Sequence, residues 1–588
     1  MKRVLLPIVA VLALFFAACS SPTGNPNPTD ATPQNYQGIT YSVNPDNTVT
    51  ITGLINLVRS KTGFNLDIPE QIGGVPVTTI KDEAFRGLTG IVDVIIPMSV
   101  TSIGDNAFTD CTGLKSVVID RDMSTLPVTP PVLGTDSFGT TAPTNYSIYV
   151  AHGQGNTFKG ETTWTAYSSS IKEFSDDSWF QILTDDAGVT IKGLLTAGQS
   201  QANIIIPYKI LGEKVILIDT NAFQNRTSLQ TLYIPPSVTT INDYILQGCT
   251  SLTSAYIPSS VTSIGKGTFK GCTSLTTIAI RSWATSIKDE TFFGCVGIAS
   301  ITIPDSILTI GNSAFENCNN LTSLTIPPFV TSIGDQAFLG CSKLASITLP
   351  ASLTSIGAGA FQSCVLLTSV TVPNKVTVIN DNVFRGCTAL ATVSMTGNVT
   401  SIGLRSFYDC INLTTVNIPA SLRTLGNYAF SKCEKITSIT LPAGMTSVSD
   451  YAFKDCVALT ALTLPSTLTT IGTDSFANCT VLTPINLPAN LTTIGTGAFT
   501  ECIAITKITI PSKVTTIGDS AFEDCTALET VTMLQQTVPT VGGDLVFSGI
   551  DSGASMYVPN ATTIGDWQTP NWITDVFSNR VTKANPPA

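Results

Sequence analysis

Residues 318–340 read CNNLTSLTIPPFVTSIGDQAFLG, and residues 341–363 read CSKLASITLPASLTSIGAGAFQS. Counted from the cysteine as zero, both segments place Leu at position 3 and aliphatic residues at 6, 8, 12 and 15. Both also carry Pro at 9, Gly at 16 and Ala-Phe at 19 and 20. The spacing extends outward in both directions. From Cys249 to Cys525 the cysteines recur thirteen times, each interval being 23 residues. A constant period of this size predicts a repeat solenoid, in which each coil stacks only on its neighbours.

Each part of the repeat has a physical task. Positions 5 to 8 alternate polar and apolar residues, the pattern of a half-buried strand. Proline at 9 ends that strand because it has no N–H for the next ladder bond. The stretch at 12 to 15, such as Val330-Thr331-Ser332-Ile333, predicts a second short strand. Glycine at 16 (Gly334, Gly357, Gly472) is expected to supply unusual dihedrals. A polar residue such as Asp335 or Asp519, followed by x-Ala-Phe-x-x-Cys, predicts a capped single turn of helix with Phe and Cys pointing inward. No single coil can bury these residues; stacking buries them all.

The string Leu-x-x-Ile-x-Ile-Pro-x-x-Val-x-x-Ile-Gly-x-x-Ala-Phe-x-x-Cys resembles the BspA-like, or Treponema pallidum-type, leucine-rich repeat. The resemblance runs over about fourteen coils from roughly Arg226 onward, plus an earlier set. It implies a leucine-rich-repeat array with a short strand and a short helical turn per coil. For function it implies a surface protein of the kind implicated in adhesion.

The chain also contains a duplication. Val49-Thr50-Ile51-Thr52-Gly53-Leu54 recurs as Val189-Thr190-Ile191-Lys192-Gly193-Leu194, and Ile148-Tyr149-Val150 before Trp164 recurs as Met556-Tyr557-Val558 before Trp572. Two capped modules are therefore expected, at 36–175 and 176–588. Caps are needed because a bare solenoid end exposes an apolar cross-section and unpaired strand edges.

Ahead of these modules, Lys2 and Arg3 precede an apolar run from Val4 to Ala18, and Cys19 follows. That order is similar to a bacterial lipoprotein signal at 1–18, which would leave Cys19 as the lipidated first residue. The Ser/Pro/Thr/Asn-rich segment then reads as a flexible tether over 19–35. The expected location is the bacterial cell envelope, at the outer membrane or cell surface.

Composition narrows the function classes. Only 12% of the 588 residues are charged, and 30 basic against 41 acidic residues give a net charge of −11. That balance repels phosphate backbones and argues against nucleic acid as a partner. The one histidine, His152, would have to carry any histidine-based catalysis; it reads as a solvated loop residue. The 23-residue period stacks one thiol per coil instead of converging ligands, so the cysteines read as buried, free core residues. No enzyme activity, cofactor or metal is expected.

Interaction is the remaining class. Eleven of fourteen residues at position 5 and nine of fourteen at position 7 are Ser or Thr, enough to tile one face with hydroxyls. Ser323, Thr325, Ser346 and Thr348 exemplify that lattice. Tyr233 and Tyr256 interrupt it at position 7 of adjacent coils, with Trp283 and Phe329 at position 11 of theirs. These eight residues are the candidate contacts for a protein or glycan ligand, although the tyrosines could instead cover the start of the second module. The expected role is lipid-anchored adhesion; a structural or self-assembling envelope component is the alternative.

Overall fold

The computed structural model describes residues 34–583 apart from 60–63, 121–128, 140–145, 259, 279, 281–283, 396, 560–566, 568–569 and 578–579. The lipoprotein signal, Cys19 and nearly all of the tether lie outside the described residues. The chain forms two compact units, one ending at Phe174 and one beginning at Ser175.

The first unit opens with antiparallel strands, Ile39–Val43 against Val49–Leu54. The chain then becomes parallel: Val75–Ile80, Ser102–Ile103 and Val132–Leu133 stack in turn on that opening. A second parallel ladder runs through Phe64–Asp67, Ile91–Ile96, Ser116–Ile119, Ser147–Val150 and Ile171–Glu173. Trp164 closes the end of the unit. Its indole Nε1 donates to the Pro131 carbonyl at 2.8 Å and its ring packs edge-on against Phe158.

The second unit repeats this opening with Phe180–Asp185 against Gly188–Leu194, followed in parallel by Glu213–Ile218. The coils then stack with register i to i+23. Ser323, Leu324 and Thr325 pair with Ser346, Ile347 and Thr348, and Ser332-Ile333 pairs with Ser355-Ile356. Both predicted strands are thus present in each such coil. The array ends in strands Ser555–Val558 and Val581–Lys583 and a helix Asn571–Phe577, which bury Trp567, Ile573 and Phe577. Among the described residues, no helix is long and apolar enough to cross a membrane.

The core is a set of columns. Thirteen phenylalanines from Phe269 to Phe547 stack one per coil, with centroids 5.0–5.6 Å apart. Aromatic stacking of this kind contributes about 0.5–1.5 kcal/mol per pair beyond the area buried.

The third side of each coil departs from the expected helical turn. Positions 17 to 22 form consecutive tight turns in which positions 18 and 22 are left-handed, as at Gln336 (φ 55°) and Gly340 (φ 72°). The physical reason lies in the backbone N–H groups. Gln336, Phe338 and Gly340 donate to Ala358, Ala360 and Gln362 of the following coil at 2.8–2.9 Å. A helix would satisfy those donors internally; the turns spend them on joining coils.

Two details of the sequence reading change accordingly. Asp335 does not cap its own turn: its Oδ1 accepts the N–H of Ala358, one coil later, at 2.7 Å. Gly334 does not adopt a left-handed conformation either. A Cβ there would lie 2.6 Å from the backbone nitrogen of Asn312, so glycine is required by close approach of the neighbouring coil.

Candidate functional site

The strand face is built from hydroxyl side chains in four columns, which divide into two kinds. At positions 4 and 13 many of the hydroxyls are used internally, donating to a carbonyl of the preceding coil. Thr322 Oγ1 reaches the Ala299 carbonyl at 3.3 Å, Thr331 reaches Leu308 at 3.2 Å, and Thr354 reaches Thr331 at 2.9 Å. At positions 5 and 7 the pleat turns the side chains outward. Ser323, Thr325, Ser346 and Thr348 are all exposed, while Leu324 and Ile347 between them are buried. The structure thus brings these four residues together as a two-by-two patch, which Ser369 and Thr371 continue.

The aromatic candidates do not form one cluster. Tyr233 is only 4% exposed, and its ring stacks on Tyr256 at 5.0 Å. The alternation places it on the outer side correctly, but its side chain is covered; this corrects the reading of Tyr233 as an open contact. Tyr256 is half-buried. Phe329 is 61% exposed, a large apolar surface in the coil that also bears Ser323 and Thr325. Trp283 lies outside the described residues.

A groove of about 540 Å³ interrupts the face further along, lined by Ile485, Leu487, Lys507, Thr509, Thr530 and Leu534 among others. Its origin is local. Position 5 of this coil is Pro484, which has no ladder N–H, and the coil lacks the first strand that its neighbours form at Ala461–Thr463 and Lys507–Ile510. The proline was legible in the sequence; the opening beside it was not.

The thiol column is closed to chemistry. Fourteen described cysteines are free and buried. Each donates its S–H to a carbonyl of the preceding coil, that of a phenylalanine except at Cys272, which uses Leu246; Cys341 reaches Phe315 at 3.1 Å and Cys364 reaches Phe338 at 3.2 Å. That carbonyl also accepts the cysteine N–H of its own turn, as Phe338 does from Cys341 at 3.2 Å, so both lone pairs are engaged. Burial raises the thiol pKa values, to about 11 at Cys249 and about 12 at Cys295, Cys341, Cys387 and Cys456. Thiolates, the reactive form, are therefore suppressed. His152 is half exposed, with Nδ1 3.9 Å from Glu173 Oε2. Glu173 in turn accepts the backbone N–H groups of Gly153 and Gly155.

Sequence reasoning overlooked the opposite side. On the turns, Tyr428 and Tyr451 stack at 4.3 Å with parallel rings, and Arg405 lies over Tyr428 at 5.0 Å. Arg385 and Lys432 both lie over Tyr408, at 5.7 and 5.8 Å. The signal was available: Tyr428 and Tyr451 are one 23-residue period apart.

Comparison with known proteins bears on the architecture. The profile of the BspA type leucine rich repeat region, in six copies, matches residues 65–128, 199–322, 308–437 and 423–551, together more than two thirds of the chain. Among solved structures, a leucine-rich repeat protein from Bacteroides ovatus is similar at 22% identity over 70% of this chain and 99% of its own, with a TM-score of 0.46. The Treponema pallidum leucine rich repeat protein is similar at 22% identity over 45% of this chain and 90% of its own (TM-score 0.23). A protein from Faecalibacterium prausnitzii, described as a leucine rich cell surface protein, is 19% identical over 92% of this chain and 97% of its own (TM-score 0.23). Comparison with curated proteins finds no match.

Proposed function

The chain belongs to the BspA-type leucine-rich repeat family, and from that premise we propose a non-enzymatic, lipid-anchored cell-envelope protein whose strand face binds a protein or glycan ligand in adhesion. The observation that carries this reading is the exposed hydroxyl grid over Ser323, Thr325, Ser346 and Thr348, mounted on strands paired coil to coil above a buried core. Preorganised donors and acceptors lose little entropy on binding. Adjacent strands lie about 4.8 Å apart, so several coils together present the width of an ordinary protein interface. Phe329, exposed in the same coil, supplies an apolar anchor beside the polar grid. The enclosed thiols add a reason against catalysis, since a cysteine nucleophile needs an accessible thiolate.

The test is proteolysis of intact cells, followed by capture of partners on the purified protein. Rapid cleavage of the array on intact cells, and loss of capture when Ser323, Thr325, Ser346 and Thr348 are all changed to Ala, are the expected results. Full protection on intact cells would overturn the adhesive reading in favour of a structural envelope component. Cys19→Ser should release the protein from the membrane fraction or leave its precursor uncut.

A further inference from the structure

The turn side carries a cluster of charged and aromatic side chains. Its elements are Arg385, Arg405, Tyr408, Tyr428, Lys432 and Tyr451, drawn from four successive coils, all partly or fully exposed. Two features set it apart.

The first is where the residues sit. Position 18 is left-handed in every coil from Asn221 to Ser520, and eight of those fourteen coils fill it with Gly, Asn, Asp or Ser. Three consecutive coils instead carry Arg405, Tyr428 and Tyr451 there, at φ 53–60°, and Lys432 occupies the left-handed position 22 at φ 60°. Bulky side chains are disfavoured in that conformation, and strain retained in a run of coils marks a site of use.

The second is charge. A similar cluster nearer the start of the array, around Tyr244, is internally neutralised: Lys270 pairs with Glu290 at 2.9 Å, and the Tyr244 hydroxyl bonds the same carboxylate at 3.2 Å. In the later cluster, Lys454 is paired with Asp474 at 2.7 Å, closing its far edge. Among the described residues, Arg385, Arg405 and Lys432 form no ion pair, although Asp409 and Asp455 flank Lys432 one coil to either side and act on it at longer range. Cations held on aromatic rings are thus left without carboxylate partners, on a chain whose net charge is −11.

We propose that this tyrosine–arginine surface docks an acidic segment of a partner protein. Tyrosine and arginine are the residues in which interface energy concentrates. A guanidinium fork steadied by a ring is suited to bidentate capture of a carboxylate. A glycan fits less well, because sugar rings need open aromatic faces. Here Tyr428 is sandwiched between Arg405 and Tyr451, and Tyr408 is covered by Arg385 and Lys432. This reading is independent of the strand face.

The experiment titrates a labelled oligoglutamate peptide into the full chain, with polygalacturonate in a parallel arm. Saturable peptide binding, weakened by salt, is expected, and Arg385→Glu with Arg405→Glu should reduce it by at least about tenfold. Changing Ser346 and Thr348 to Ala should leave it intact. Arg385→Gln alone, which touches no left-handed position, should weaken binding at unchanged melting temperature and so separates binding from folding. Absence of peptide binding, peptide binding indifferent to both arginine variants, or polygalacturonate binding in preference to the peptide would each overturn the proposal.

Discussion

Two ladders of the same design carry different outer faces. In the first unit the outward residues of three adjacent strands include Asp93, Ile95, Ser116, Val118 and Tyr149, and all are buried. The Asp93 carboxylate accepts the Ser116 hydroxyl at 2.7 Å with neither side chain reaching solvent. In the second unit the equivalent positions are Ser323, Thr325, Ser346 and Thr348, all open. The inner faces barely differ: Phe85, Phe108 and Phe138 stack at 5.0 and 5.4 Å, as the long phenylalanine column does. The repeat fixes what points inward, and leaves what points outward free to become either a second buried layer or a display surface.

The sharpest way to separate the two units is alkali. An unfolded thiol loses its proton near pH 9, whereas burial raises the folded ones, to about 11 at Cys249 and about 12 at Cys341 and Cys456. Between those values the unfolded state binds fewer protons, so this contribution to stability is complete below about pH 9 and is lost as pH rises through the window. Each thiol costs about 1.4 kcal/mol per pH unit there. Among the described residues, the second unit holds the whole column and the first only Cys111. Denaturation followed by circular dichroism should show the long array failing first as pH climbs from 9 to 11; equal sensitivity of both units would contradict the column's assignment.

Next in size are the phenylalanines. Phe361→Ala and Phe108→Ala should each cost about 3–5 kcal/mol in urea denaturation. Unequal losses would mean that the inner faces are less alike than they look. A charge on the outer face should then split the units. Ile95→Lys places an unpaired charge in a covered layer, at about 3 kcal/mol or more, while Thr325→Lys should stay within about 0.5 kcal/mol. If both are tolerated, the outer layer of the first unit is looser than its burial implies.

The smallest effect concerns the thiol itself. A hydroxyl placed in an apolar slot is orphaned unless an acceptor faces it, which would make Cys364→Ser worse than Cys364→Ala. The Phe338 carbonyl provides an acceptor for it, so the two variants should differ little, each losing about 1–2 kcal/mol. A serine variant much worse than alanine would show that the carbonyl does not take the hydroxyl.

The inward pattern was legible because each coil repeats the same apolar positions, and only stacking can bury them. The third side was not, because Asp-x-Ala-Phe reads equally well as a helix cap and as a chain of turns. What decides between them is the neighbouring coil, whose carbonyls take the N–H groups of Gln336 and Phe338. Tyr233 shows the same limit on the strand face. Alternation gave its direction, but whether an outward side chain is covered depends on residues far along the chain. The turn-side cluster escapes the pattern because positions 18 and 21 vary from coil to coil and the repeat does not specify them.

The turns that spend their N–H groups on the next coil have an evolutionary consequence. Every coil gives and receives the same set of bonds, as Phe338 does to Ala360 and Phe315 does to Ala337. A duplication or deletion of whole 23-residue segments within the regular part of the array therefore remakes the turn bonds at its seams. A gain of a few residues is tolerated at the end of the array: the step from Phe522 to Phe547 is 25 residues, yet the rings stack at 5.3 Å and the Phe522 N–H reaches the Val546 carbonyl at 2.8 Å. In its regular part the array changes length most simply by whole coils, which would move the strand-face grid and the turn-side cluster apart or closer without altering either.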